Sequence, residues 1–211
     1  MGSQRPTKRA STSQGPPARP VTLPPGYAIA QGTGRGLLLA PVSRQPGAAD
    51  KLWDPATAKT SQSFHGVLAA SAGKIALASR CAPKCAVRVL DLATGGHTTV
   101  ALPAGDTLAS AAFSPDGRFL ALQVSSGNTG DGLAMQLQVA STATGRLTAV
   151  PGTWVSSDAL VGFGWPAGGD SLVAEFNFTT KTELASWHPG ASHPAVSVVP
   201  LGRGQASLIL G

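Results

Sequence analysis

Short apolar runs, each following a glycine-containing turn, recur four times along the chain. The turns lie at residues 34–36, 73–74, 116–118 and 169–171, and the apolar runs follow at residues 37–40, 75–78, 119–122 and 172–174. A continuous apolar run of this length between turn residues is typical of a strand buried on both faces. The pattern therefore predicts four short buried strands, one in each of four repeats.

A second motif keeps the same irregular spacing. It reads WDPAT at residues 53–57 and LDLAT at residues 90–94, with weaker copies at residues 140–144 and 187–190. Two motifs that share one irregular period indicate four structural repeats.

The third repeat is read most clearly as four strands, at residues 109–113, 119–124, 135–140 and 147–150. The turn Ser114-Pro115-Asp116-Gly117 separates the first two, because proline fixes φ at the turn entry and glycine accepts a positive φ at its exit. We interpret these four residues as a blade-turn motif.

Residues 125–132 form an insertion in the third repeat. They are rich in serine and glycine and contain Asn128 and Asp131. A calcium loop needs more oxygen ligands and a terminal acidic residue, so we interpret the insertion as a flexible hairpin tip. If it protrudes, Asn128 and Asp131 form a candidate contact loop.

Four antiparallel strands in every 40–50 residues predict an all-β fold, a β-propeller of about four four-stranded blades. The approximate blade boundaries are residues 23–62, 63–104, 105–152 and 153–211. An immunoglobulin-like sandwich also has short strands, but not four matched repeats. Residues 1–22 are predicted to be a disordered basic arm rich in proline and serine.

The net charge of +6 changes the picture less than it first suggests. Residues 1–20 hold four basic residues and no acid, which leaves 12 basic and 10 acidic residues in the remainder. A nearly neutral folded part argues against nucleic-acid binding. No apolar run is long enough for a transmembrane helix, and no apolar segment of signal-peptide type follows the basic arm.

Residues 113–121 (FSPDGRFLA) resemble the repeat of bacterial Tol-type, WD-repeat-like propellers, and Trp53-Asp54 resembles the dipeptide that gives WD repeats their name. The resemblance covers roughly residues 25–200 and looks most like propeller proteins of high-GC bacteria. It implies a fold rather than one function. Such propellers usually have six to eight blades, so two alternatives stay open: a closed ring of four blades, or the C-terminal part of a larger propeller.

Cys81 and Cys85 have three residues between them across a tight connection, a separation that a disulfide spans. We predict that bond, with two free thiols or a metal or redox site as the alternatives. A persistent disulfide indicates an oxidising compartment.

Other conspicuous side chains receive structural interpretations. His188 and His193 fall in turn columns of the repeat, so we predict exposed positions rather than metal ligands. Glu175 interrupts an apolar strand and is predicted to face water at a strand end, with the central channel as the alternative. The four tryptophans are predicted to pack between blades, with a ligand-stacking cluster as the alternative; they are Trp53, Trp154, Trp165 and Trp187.

No catalytic, cofactor or metal constellation is recognised in the sequence. We therefore expect a non-enzymatic propeller scaffold that binds a protein or peptide partner through its loop face. The alternatives are a half-propeller that needs further blades or a second chain, and a ligand-binding or hydrolytic propeller. The disulfide and the Tol-type resemblance favour an extracytoplasmic location if an export segment is missing from this sequence, and otherwise a cytoplasmic one.

Overall fold

The structure, a computed structural model, describes residues 21–43, 45, 47–79, 84–128, 133–153, 155–156 and 159–200. In these residues the protein forms 17 β-strands and no helix, and therefore no helix that could cross a membrane. The strands build four antiparallel sheets in chain order, three with four strands and one with five. The predicted all-β fold with four blades is confirmed. The predicted arm lies almost wholly outside the described residues.

Each blade is a meander, in which strands pair in the order of the sequence. The first blade contains β1 (Tyr27–Thr33), β2 (Gly36–Pro41), β3 (Asp50–Asp54) and β4 (Lys59–Phe64). The second contains β5 (Val67–Ala70), β6 (Lys74–Ala78), β7 (Ala86–Asp91) and β8 (His97–Ala101). The third contains β9 (Asp106–Phe113), β10 (Phe119–Asn128), β11 (Leu133–Ser141) and β12 (Leu147–Ala149), and β13 (Val155–Ser156) is added against β11. The fourth contains β14 (Leu160–Gly164), β15 (Leu172–Asn177), β16 (Lys181–Trp187) and β17 (Ala195–Pro200).

The first strand of every blade lies at the centre of the molecule. Residues of β1, β5 and β9, together with β14 and the adjoining Trp165, line one central cavity of about 480 Å³. The blades are therefore arranged radially around it, as in a β-propeller. Among the described strands no pairing joins the first blade to the fourth, so hydrogen bonds do not close the ring.

Three apolar clusters hold the blades together, one at each junction between consecutive blades. In β10, Leu120 and Leu122 belong to the cluster shared with the second blade, whereas Ala121 belongs to the one shared with the fourth. Because successive side chains of a strand point to opposite faces, a continuous apolar run fills two junctions at once. All three side chains are fully buried, as the sequence pattern predicts.

Two tryptophans pack between the third and fourth blades, as predicted. Trp165 Nε1 donates a hydrogen bond to the carbonyl oxygen of Ala112 at 3.2 Å, and its ring stacks with Phe119 at a centroid distance of 6.2 Å. Trp187 is buried in the same cluster. Trp53 is also buried, and Trp154 lies outside the described residues.

The predicted ends of two strands in the third blade are wrong. Residues 125–128 continue β10, and residues 133–134 already belong to β11. Their polar sequence resembles a loop, but β9 pairs with Ser125 and Ser126 on one side and β13 pairs with Ala134 on the other. Hydrogen bonds from distant parts of the chain therefore override the local loop propensity.

The prediction that Glu175 faces water is also wrong. Glu175 is only 3% exposed. It lies within β15 and is paired with Gly162 of β14 and with Leu184 of β16. A residue paired on both sides lies inside the sheet rather than at its end, so neighbouring strands cover it. Glu175 is not among the residues that line the central cavity.

Candidate functional site

The two ends of the blades differ, and we name them by their connections. The turn end carries the connections between the first and second and between the third and fourth strands of each blade, such as residues 114–118 and 142–146 in the third blade. The hairpin end is the opposite one, where β10 is connected to β11. The sequence-predicted residues divide between these two ends.

The blade-turn motif lies at the turn end and forms the predicted tight turn. The Gly117 N–H donates to the Ser114 carbonyl at 2.8 Å, and Gly117 has a φ of 68°, where glycine is favoured. Ser114 is buried, and its hydroxyl accepts the Phe119 N–H at 2.9 Å. These contacts order the turn and leave little of Ser114 accessible to a partner.

Asp116 completes this turn as a carboxylate. It accepts hydrogen bonds from the Arg118 N–H at 3.0 Å and from the Ser114 hydroxyl at 2.7 Å, and it forms an ion pair with the Arg118 guanidinium. The Arg118 N–H and then the Ser114 hydroxyl lower the pKa of Asp116 to about 2. A carboxylate held in its charged form acts as a hydrogen-bond acceptor rather than as a general acid near neutral pH.

The aspartate-and-threonine motif closes the turn between the third and fourth strands of the first and second blades in the same manner. Asp54 accepts hydrogen bonds from the Thr57 hydroxyl and the Ala56 N–H, both at 2.8 Å. Asp91 accepts the N–H groups of Ala93 and Thr94 at 2.9 Å. The pKa of Asp54 is lowered first by the Thr57 hydroxyl, and that of Asp91 first by the Thr94 N–H. The repeated motif is therefore a turn-forming device.

Hydrogen bonds also cross between blades at the turn end. Arg35 Nη2 of the first blade donates to the Ala93 carbonyl of the second at 3.2 Å. Lys74 Nζ of the second blade donates to Thr142 Oγ1 of the third at 3.0 Å, and that hydroxyl donates to the Gly117 carbonyl at 2.7 Å. The glycine-and-basic turns of the first two repeats thus link the first blade to the second and the second to the third.

At the hairpin end the third blade departs from the others. β10 and β11 have 10 and 9 residues, whereas β6 and β7 of the second blade have 5 and 6. At about 3.3 Å per residue, the longer hairpin projects by about 10 Å or more. The short strand β13 pairs with Ala134 and Met135, close to the outer end of the hairpin. The hairpin is therefore a braced projection.

One of the two predicted contact residues lies at the end of a described strand of this projection. Asn128 is the last residue of β10, but its side chain and the whole of Asp131 lie outside the described part. Along the edge that β10 shares with β9, the hydroxyl groups of Thr107 and Ser125 are 2.5 Å apart, and the Ser110 hydroxyl donates to Gln123 Oε1 at 2.7 Å. These side-chain bonds fix β9 against β10 beneath the tip.

The cysteine prediction also falls at the boundary of the described residues. Cys85 is buried, and Cys81 lies outside them. The Cys81–Cys85 disulfide therefore stays a prediction.

The two predicted turn histidines are exposed. His188 Nε2 lies 3.2 Å from Asp170 Oδ2 across the turn end of the fourth blade. Among the described residues, no group of three or more histidine, cysteine, aspartate or glutamate side chains is placed to hold a metal ion.

The central cavity, unlike the turn end, is lined by side chains that carry no charge. Alanine residues of three inner strands form much of it, and Phe113, Phe163 and Trp165 form an aromatic side. Gln31 is the one lining residue with a polar side chain besides the Trp165 indole, whose N–H is bonded to Ala112. The cavity offers apolar side chains, one side-chain amide and backbone polar groups of the inner strands, with no ionisable side chain in its lining.

Among known proteins, the chain is similar to solved structures alone. No protein-family model and no curated protein matches the chain. A prolyl endopeptidase structure covers 81% of this chain and 29% of its own length, with a TM-score of 0.56 at 11% identity. The β-propeller domain of the trilobed protease from Pyrococcus furiosus covers 63% and 41%, with a TM-score of 0.45 at 12% identity. TolB from Acinetobacter baumannii covers 83% and 40%, with a TM-score of 0.45 at 17% identity.

The chain spans less than half the length of each of these solved structures. Their low sequence identities limit the likeness to the β-propeller fold. The Tol-type resemblance of the sequence agrees with that fold, and its WD-repeat and high-GC parts stay predictions.

Proposed function

We propose that this protein is a non-enzymatic propeller scaffold that binds a protein or peptide partner through its hairpin end. The observation that carries the proposal is the braced β10–β11 hairpin. In the first, second and fourth blades the second and third strands have five to seven residues. In the third blade these strands have 10 and 9 residues, and β13 is added against β11. A projection stiffened along both of its edges by β9 and β13 presents a tip to a partner with little loss of conformational entropy.

The acidic side chains at the turn end support the same assignment, because they are already engaged in hydrogen bonds within their turns. Asp54, Asp91 and Asp116 are engaged in turn hydrogen bonds, so they serve the fold. Partner binding on loops carried by a rigid sheet scaffold is a common use of such architectures.

The test is a shortened hairpin. Residues 127–133 are replaced by Asn-Gly, which joins Ser126 to Ala134 through a two-residue turn. The variant keeps Ala134 and Met135, the residues with which β13 pairs. A photo-crosslinking residue at position 128 identifies the partner in cells of the source organism, and the same residue at position 62 on the outer strand β4 is the control.

We expect a crosslinked partner from position 128 and not from position 62. The purified partner should bind the shortened variant at least about tenfold more weakly, while the variant melts at the wild-type temperature. Equal binding by the shortened variant, or equal crosslinking from position 62, would contradict the proposal.

The central cavity favours a second candidate, a ligand-binding propeller. Its volume of about 480 Å³ lies in the range of small-molecule sites. Since its lining lacks an ionisable side chain, the cavity suits binding better than hydrolysis. An Ala30→Leu substitution would place a larger side chain in the lining of the cavity and weaken binding of a ligand that enters it.

We also propose the Cys81–Cys85 disulfide and an extracytoplasmic location. Mass spectrometry after alkylation without reduction tests the bond. A mass that lacks two alkyl groups supports it, and a doubly alkylated chain contradicts it.

A further inference from the structure

Two grooves at the turn end occupy equivalent places between successive blades. The first lies between the second and third blades and has a volume of about 320 Å³. The second lies between the third and fourth blades and has a volume of about 370 Å³. We call them the polar groove and the aromatic groove. The polar groove is defined by Lys74, Asp91 and Thr142, and the aromatic groove by Phe119, Arg146, Trp187 and Pro189.

Strand pairing shows which residues correspond. Lys74 is paired with Asp91 in the second blade, and Phe119 is paired with Ser141 in the third. The Asp91 N–H donates to the Gly96 carbonyl, and the Ser141 N–H donates to the Arg146 carbonyl, both at 2.9 Å. Relative to the polar groove, the aromatic groove therefore exchanges a lysine for phenylalanine, an aspartate for serine and a glycine for arginine.

These exchanges give the aromatic groove a net positive charge, whereas the charges of Lys74 and Asp91 in the polar groove offset each other. In the polar groove the Lys74 ammonium donates to Thr142, and the carboxylate of Asp91 lies on the neighbouring strand. Because the Asp91 carboxylate already offsets the charge of the Lys74 ammonium, the polar groove has little attraction for an added anion. In the aromatic groove the acid is absent, and Arg146 is the one charged residue in the lining.

The Arg146 side chain is exposed, and within the described part of the chain its guanidinium has no ion pair or hydrogen bond. The nearby Arg118 guanidinium is paired with Asp116, and the Asp170 carboxylate lies 3.2 Å from His188 Nε2. A guanidinium left in this state keeps its planar, forked set of donors for a carboxylate.

The apolar walls of the aromatic groove are fixed in position. The Trp187 indole N–H donates to the Ala191 carbonyl at 2.9 Å, and the Phe119 ring stacks on Trp165. Walls of this kind pack against an aromatic or branched aliphatic group without first being ordered. Ser141 and Thr148 add two hydroxyl groups to the lining.

We propose that the aromatic groove is a binding site for a small amphipathic carboxylate. Its aryl or branched alkyl group packs against Phe119, Trp187 and Pro189. Its carboxylate binds the Arg146 guanidinium, with the hydroxyl groups of Ser141 and Thr148 as further donors. The volume suits a small ligand, and the unpaired arginine selects an anion over an uncharged molecule. The site lies at the turn end and is independent of the proposed hairpin contact.

The probe pair is 3-phenylpropionate and its amide, 3-phenylpropanamide, which differ chiefly in charge. Each is titrated into the full chain labelled with ¹⁵N, and the Trp187 indole N–H resonance is followed. We expect saturable shifts with the acid at millimolar concentration or below, and much weaker shifts with the amide. Arg146→Gln should weaken binding of the acid about tenfold or more, because a charge-assisted hydrogen bond is lost, and leave the amide unchanged.

Two variants make the result specific. Lys59 occupies the equivalent turn position in the first blade, opposite Asp54, so Lys59→Gln removes the same charge elsewhere and should leave binding unchanged. Ser141→Asp restores the acid of the polar groove and should weaken binding of the acid as Arg146→Gln does. The proposal is overturned if the amide binds as well as the acid, if Arg146→Gln has no effect or Lys59→Gln has the same effect, or if the acid does not saturate at millimolar concentration.

Discussion

The turn end and the hairpin end of the blades follow different rules. At the turn end the same kind of hydrogen bond recurs, since Asp54, Asp91 and Asp116 each accept a backbone N–H two residues further along the chain. At the hairpin end the β6–β7 and β10–β11 hairpins differ in length. The comparison teaches that the repeat is regular where neighbouring blades contact each other through their turns, and variable where a connection projects from the ring.

The largest effect is expected from Gly145 at the turn end. Gly145 and Gly95 occupy the same turn position in the third and second blades, and both have a φ of 73°. A Cβ on Gly145 would overlap the Thr99 carbonyl of the preceding blade, whereas a Cβ on Gly95 meets no atom within 4 Å. We expect Gly145→Ala to cost about 3 kcal/mol of the free energy of unfolding and Gly95→Ala about 1 kcal/mol.

Urea unfolding of the two variants measures this difference. The pair separates contact between blades from backbone strain, because the strain is the same in both. Equal losses would show that the turn end is not packed as closely as the comparison requires.

A smaller effect is expected from protonation of Asp116. Its pKa of about 2, below the usual 3.8, means that the carboxylate stabilises the fold above about pH 4, and that this contribution is lost as the pH falls towards 2. The Asp116 side chain is 46% exposed, so solvent screening limits the contribution to about 1 kcal/mol.

Urea unfolding near pH 6 and near pH 2.5 tests this contribution in the wild type and in Asp116→Asn. The variant should be less stable near pH 6 by about 1 kcal/mol, and the difference should shrink at the lower pH. A difference that stays constant with pH would assign the loss to something other than the charge.

The smallest effect, and a stabilising one, is expected in the first blade. Ala58 occupies the position of Gly95 and Gly145 with a φ of 55°, a conformation that costs energy for any residue with a Cβ. Ala58→Gly should therefore raise the free energy of unfolding by about 0.5 kcal/mol. Ala56→Gly in the same turn is the control and should lower it, since Ala56 has no positive φ.

The sequence predicts the turn end better than the hairpin end, for a physical reason. Ser114, Pro115, Asp116 and Gly117 form their turn through bonds within a few residues, so local chemistry specifies it. Residues 125–128 resemble a loop in sequence and become strand through pairing with β9 on one side and β11 on the other. Such pairing depends on strand register, which no local pattern reports.

The aromatic groove illustrates the same limit at a candidate site. Arg146 is visible in the sequence as a turn residue, and Trp187 as the aromatic position of a degenerate repeat. Their proximity arises only when the fourth blade packs on the third. One signal was available beforehand: in the third repeat Ser141 replaces the aspartate of the first two.

The meander order of the blades has a consequence for how the chain folds. Main-sheet strands pair with the strand before or after them in sequence, and no pairing joins the first blade to the fourth in the described part of the chain. The hydrogen-bonded contacts are therefore local, a topology associated with low contact order and rapid folding. Each blade gains its neighbour's apolar face as soon as that neighbour forms, so structure should propagate blade by blade along the chain, as in other repeat proteins.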